Sequence, residues 1–113
     1  MAKYTFVVMT NAAAGQEGEF NSWYERQHIP DVLRIEGFRS AQRFQLAPEE
    51  SDNPKGTFRY LTLYEIETDD LSKTKAAIAA AAGSEAMPMS PALDRNDLFA
   101  VCYRQTGEKI PAG

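Results

Sequence analysis

His28 is the one histidine in the chain, and imidazole is the side chain whose charge changes nearest neutral pH. Trp23, Tyr24 and Asp31 lie within one or two helical turns of it. A proton-transfer group, a phenol able to donate to a substrate oxygen, a flat aromatic wall and a carboxylate therefore fall close together. Such a set supports general acid–base chemistry beside a carbonyl: His28 moves the proton, Tyr24 polarises the oxygen, and either a backbone carbonyl freed where Pro30 breaks the helix or Asp31 holds one ring nitrogen. Each residue also has a simpler role. A histidine at a helix end gains ~0.3–1 kcal/mol from the helix dipole, Trp23 and Tyr24 can be core packing, and an acid in the first turn after Pro30 stabilises a helix N-terminus.

Other groupings support less chemistry. Cys102 has no basic or histidine neighbour in sequence and reads as an inert, buried thiol. Gly15 and Gly18 bracket a helix start, but Glu17 between them would repel phosphate. Glu49, Glu50 and Asp52 read as a solvated loop rather than a calcium site. Met87 and Met89, beside prolines, suit either gap-filling or a lid over a pocket. With a single histidine and a single cysteine, neither a zinc site nor a facial triad can be assembled. No cofactor or metal is expected.

The elements that must position His28 follow from hydrophobic periodicity. Tyr4 to Thr10 is β-branched and aromatic and reads as a strand. From Gln16 the period becomes helical, with Phe20, Trp23, Tyr24, Gln27 and His28 on one face. Pro30 predicts a break at His28–Pro30 and a short second segment, Asp31 to Ile35. Strands are expected over Phe38–Leu46, Phe58–Ile66 and Asp97–Gln105, with a helix over Leu71–Ala82 that Asp69 or Asp70 caps and Gly83 ends. Pro48 to Gly56 is a loop, and Ser84 to Arg95 an irregular excursion. The order is β-α-β-β-α-β: an α+β, ferredoxin-like, four-stranded antiparallel sheet with two helices on one face. The chain, 113 residues long, suits one domain over 1–105 with a flexible C-terminal tail over 106–113.

Two helices cover one sheet face, so the other face should alternate polar if it meets water. It does not. In the third strand Phe58, Tyr60, Tyr64 and Ile66 share one parity, while Leu61 and Leu63 lie on the other. Phe6 and Val8 oppose Val7 and Met9 in the first strand. Both faces are apolar at the centre, which predicts a homodimer that closes two sheets into a barrel. Net charge is −4 with scattered Lys and Arg, so no nucleic-acid surface is expected. The alanine run around Ala76–Ala82 is too short to span a bilayer and residues 1–10 lack a signal-peptide plan, so no membrane role and a cytoplasmic setting are expected.

The segment Gly15-Gln16-Glu17-Gly18-Glu19-Phe20-Asn21-Ser22-Trp23-Tyr24, then His28-Ile29-Pro30-Asp31-Val32-Leu33 and Gly37-Phe38, resembles the EthD-like branch of the dimeric α/β barrel superfamily. The resemblance implies that fold and a homodimer. It also implies a range of activities that includes cyclases, dehydratases, lactone isomerases, cofactor-independent monooxygenases, haem enzymes and proteins with no assigned reaction. Haem would need an axial ligand that no sequence feature requests. The expected function is a cofactor-independent isomerase, cyclase, dehydratase or lyase acting on an apolar cyclic, aromatic or polyketide-like carbonyl compound in a catabolic or secondary-metabolite pathway. His28, Tyr24 and Asp31 would be its catalytic set, and Trp23, Phe20, Tyr60 and Tyr64 its substrate-binding aromatics. The alternative is an accessory protein that binds a hydrophobic small molecule without catalysis.

Overall fold

The computed structural model describes the whole chain, Met1–Gly113. Four strands, β1 (Ala2–Thr10), β2 (Phe38–Gln45), β3 (Tyr60–Thr68) and β4 (Phe99–Arg104), form one antiparallel sheet in the order β2-β3-β1-β4. Helical segments connect β1 to β2 and β3 to β4, so the element order is the expected α+β, ferredoxin-like one. The third strand begins at Tyr60 rather than Phe58. The Asn11 side chain intervenes there, donating to the Thr57 carbonyl at 3.0 Å and accepting from the Arg59 N–H at 2.8 Å.

The first helical connection departs from the expected break. It runs as α1 (Glu17–Trp23), a π turn (Tyr24–His28) and α2 (Ile29–Val32) without interruption. Within an α-helix Pro30 would clash with the carbonyl of the preceding turn and leave it unpaired. Here the turn ahead of the proline is widened, and the Ile29 N–H reaches back five residues to the Tyr24 carbonyl. Ile29 keeps helical angles, φ −59° and ψ −48°, although it precedes a proline. The expected second segment, Asp31 to Ile35, is replaced by Ile29–Val32.

The second helix, α3 (Leu71–Ala81), is capped as its sequence implies. Asp70 accepts from the Lys73 N–H at 3.1 Å. Gly83, just beyond the helix, takes φ +86°.

The core has two apolar clusters under the helices. One gathers Phe6, Val32, Phe38, Tyr64, Ile66 and Met87; the other gathers Phe20, Tyr24, Tyr60, Ala92 and Leu93. The Ser84–Arg95 excursion is irregular yet firmly attached: its Ala92 carbonyl accepts from the Ala13 N–H at 2.6 Å, and its Asp94 N–H donates to the Asn11 carbonyl at 3.0 Å.

The opposite sheet face carries no covering layer. Register places Phe44, Leu61, Met9 and Phe99 in one row across the sheet and Leu63, Val7 and Val101 in the next. On the edge strand β4, Val101 and Tyr103 of this face are 39% and 55% exposed.

Gly37 joins the helical region to β2. Its φ is +100°, its carbonyl accepts from the Glu67 N–H at 2.8 Å, and an added Cβ would press on Thr74 at 3.4 Å. Gly37→Ala is therefore expected to lower stability by roughly 1–3 kcal/mol, seen as an earlier midpoint in urea unfolding.

Candidate functional site

An apolar cavity of about 280 Å³ opens between the sheet and the helices. Phe6, Val8 and Tyr64 form its sheet wall, and His28 and Val32 line it from the first helical region. From α3 come Lys75, Ile78 and Ala79, at i, i+3 and i+4, with Ala82 just beyond the helix end. Met87 and Met89 close it from the excursion. Ten of its twelve lining residues are hydrophobic, so it suits an apolar ligand. A wider depression beside Asp94 and Arg95, about 560 Å³, has three hydrophobic residues among the seven that line it.

His28 is half-buried and is held by its own helix. The π turn brings residues five apart into line, and the His28 ring stacks on Trp23 with centroids 4.6 Å apart and planes 24° from parallel. Tyr24 meets it edge-on at 5.1 Å and 83°. The Trp23 Nε1–H donates to the Pro88 carbonyl at 3.2 Å, which ties this stack to the excursion.

Burial pushes the His28 pKa down from 6.5 to about 4, with the Asp31 charge opposing the shift. The imidazole is thus neutral near pH 7. Its Nδ1 is sealed from solvent and has no hydrogen-bond partner.

Asp31 does not supply one. Only 3% exposed, its carboxylate accepts from Gln27 Nε2 and from Arg34 Nη1, each at 2.7 Å. The continuous helix turns Asp31 toward these i−4 and i+3 neighbours rather than toward His28. Nor do freed backbone carbonyls reach the ring, because the helix is not broken there.

The other sequence candidates separate into two groups. Tyr64 lines the cavity; Tyr24, Trp23, Phe20 and Tyr60 do not. Tyr24 is 1% exposed and lies in the wall behind His28. Burial raises its phenol pKa, and the Thr62 and Tyr64 hydroxyls, the Arg43 charge and the Thr10 hydroxyl offset part of the rise. Its position favours bracing the histidine over reaching a ligand. Phe20 is fully buried between Tyr24 and Tyr60, at 5.3 and 4.8 Å. The Tyr60 hydroxyl faces Asn21, whose Nδ2 donates to it at 3.4 Å.

Arg43, which the sequence reading left among scattered charges, pins this wall. Its guanidinium lies 4.7 Å from the Tyr24 ring centroid while donating to Asn21 at 2.8 Å and Glu25 at 3.2 Å. The α3 stripe also went unread, although its helical spacing was legible. The Cys102 thiol is held in its protonated form by burial, which outweighs the Lys75 charge nearby. No three His, Cys, Asp or Glu side chains converge, and no helix is long and apolar enough to cross a membrane.

Solved structures share this fold at low identity. MhuD, as a variant with two manganese protoporphyrin IX bound per active site, superposes with a TM-score of 0.62 at 19% identity, covering 96% of this chain and 99% of that one. A candidate monooxygenase of Shewanella loihica gives 0.62 at 15% identity, with the same coverage of 96% and 99%. An EthD family protein of Bacillus halodurans gives 0.54 at 17% identity, covering 97% and 100%. At these identities the likeness extends to the ferredoxin-like fold, as anticipated from the Phe20-to-Phe38 motif, and not to chemistry. A cavity of about 280 Å³ falls below the range of roughly 300–1,000 Å³ usual for pockets of drug-sized ligands and does not fit a porphyrin. No curated protein sequence matches the chain. The profile of the domain of unknown function DUF4286 does match, over residues 3–85, and the chain belongs to that family.

Proposed function

We propose that the cavity beside His28 binds an apolar small molecule with a carbonyl group, and that His28 moves a proton α to that carbonyl. The observation that carries this reading is a half-buried imidazole, neutral near pH 7, lining an apolar cavity, with its Nδ1 unpartnered. In such a step an imidazole nitrogen takes the α-proton and the C–H electron pair passes to the carbonyl oxygen as an enolate. Return of the proton at another carbon completes an isomerisation; loss of a β-hydroxyl as water completes a dehydration. A free-state pKa near 4 makes His28 a weak base, but an enolate forming beside it favours the imidazolium and raises that value as the proton moves. No cofactor is required. Tyr64, on the cavity wall, remains the substrate-binding aromatic of this scheme.

The second reading is a binding protein without catalysis. It is favoured by one observation: Asp31 is engaged by Gln27 and Arg34, so His28 lacks the orienting carboxylate that acid–base histidines commonly have.

The uncovered sheet face fits a second copy of the chain, related by a two-fold axis, with the Phe44–Leu61–Met9–Phe99 row meeting its counterpart. That homodimer is part of the proposal.

Three outcomes are expected. In deuterated water the protein accelerates α-exchange of 2-tetralone, followed by proton NMR, and His28→Asn loses that acceleration by about 10²-fold or more while its circular dichroism is unchanged. Ligand binding with no exchange in the native protein would select the second reading. Stability depends on pH with a sign set by the lowered pKa. Folded His28 binds fewer protons than unfolded His28 between about 6.5 and about 4. The stability it confers is therefore full above pH 6.5 and is lost as pH falls toward 4, at up to about 1.4 kcal/mol per pH unit. This component should be missing from urea titrations of His28→Asn. Finally, native protein at micromolar concentration should scatter light with the mass of two chains, and Leu63→Glu with the mass of one.

A further inference from the structure

Among the groups lining the His28 cavity, Lys75 is the single charged one. It lies on α3 beside Ile78 and Ala79, at the exposed rim of the cavity. That combination describes a lysine whose aliphatic stem runs along an apolar wall while its ammonium stays at the opening. No ion pair holds that ammonium: the ion pairs of the chain involve the N-terminus, Arg34 and Arg43. Helix α3, Leu-Ser-Lys-Thr-Lys-Ala-Ala-Ile-Ala-Ala-Ala, contains no acidic residue that could neutralise it. Its charge is nevertheless close enough to be felt by the half-buried Cys102 thiol on β4.

The other polar groups of the cavity are uncharged at neutral pH. His28 is neutral, and Tyr64 is a phenol that burial keeps protonated. An apolar slot with one free cation at its mouth discriminates by charge: it favours a ligand with one negative group at one end and an apolar body at the other. Neutral ligands of the same shape fill the slot but leave the ammonium unpaired, and dianions leave one charge in an apolar wall.

We propose that Lys75 anchors the ligand of the His28 cavity, and that this ligand is an apolar monocarboxylate with its carboxylate at Lys75 and its body against Phe6, Tyr64 and Met87. The inference rests on the reading of the cavity as a small-molecule site and adds the ligand class and orientation. It places the end of the ligand remote from the carboxylate toward His28, so the carbonyl acted on belongs to the ring or chain and not to the acid group.

The test is isothermal titration of the full chain with 2-naphthoate and with its neutral isostere 2-naphthamide. Native protein should bind the acid about five- to tenfold more tightly than the amide. Lys75→Met, which keeps the apolar stem, should bind both equally and bind the amide as native protein does. Lys75→Arg should restore the preference. Equal binding of acid and amide by native protein overturns the role of Lys75, as does a preference that survives in Lys75→Met; in both cases the cavity reading stands. Absence of binding of either compound by native protein overturns the anchor and the cavity together.

Discussion

A proline inside a helix forces a choice between breaking the helix and widening it. This chain widens it. The five-residue step from Ile29 back to Tyr24 gives Pro30 the room that an α-turn would deny, and it keeps Glu17 to Val32 on one continuous axis. The rest of the site follows from that step. Residues five apart stand over one another in a π turn, so Trp23 comes under the face of His28 rather than off to one side. The helix continues long enough to bury Val32 in the core, and Asp31 faces its own helix neighbours. Had the helix broken at Pro30, none of these three placements would follow.

The cavity exists because α3 is thin. Toward the sheet it presents Ile78 and Ala81, and alanine cannot reach across the gap between a helix and a sheet. A leucine-rich helix in the same place would fill the space and gain the burial free energy that the alanines forgo. The two methionines of the excursion close the opening with flexible thioether side chains, which conform to differently shaped contents. An under-filled centre and an adaptable closure are the same property seen from two sides.

Most of the architecture was legible because it rests on period. The two-residue alternation of Tyr60–Thr68, the helical stripe from Phe20 to His28, the Asp70 cap and Gly83 each announce a local structure whose cause is local. The apolar alternation on both faces also exposed the uncovered sheet face. Three things could not be read this way. Pro30 signals a disturbed helix, but whether the chain breaks or widens depends on what the next turn buries, here Val32. The partner of Asp31 depends on helix phase, which the π turn alters. The aromatics Trp23, Tyr24, Phe20 and Tyr60 share a face with His28, yet a face is broader than a cavity, and Arg43 from β2 draws part of it into a separate packed wall. Lys75 was missed because a lysine among alanines looks like ordinary solvated surface until the cavity whose rim it lines is seen.

The stack of His28 on Trp23 has an optical consequence. The chain contains one tryptophan, and that indole lies in face contact with its one histidine. Imidazolium quenches indole emission by accepting an electron from the excited state, whereas neutral imidazole does so weakly. Excited at the red edge of the indole band, where the five tyrosines scarcely absorb, the fluorescence of the protein is thus a direct readout of the charge on one side chain, with no label attached. The molecule carries its own indicator dye, wired to the group at the centre of its site.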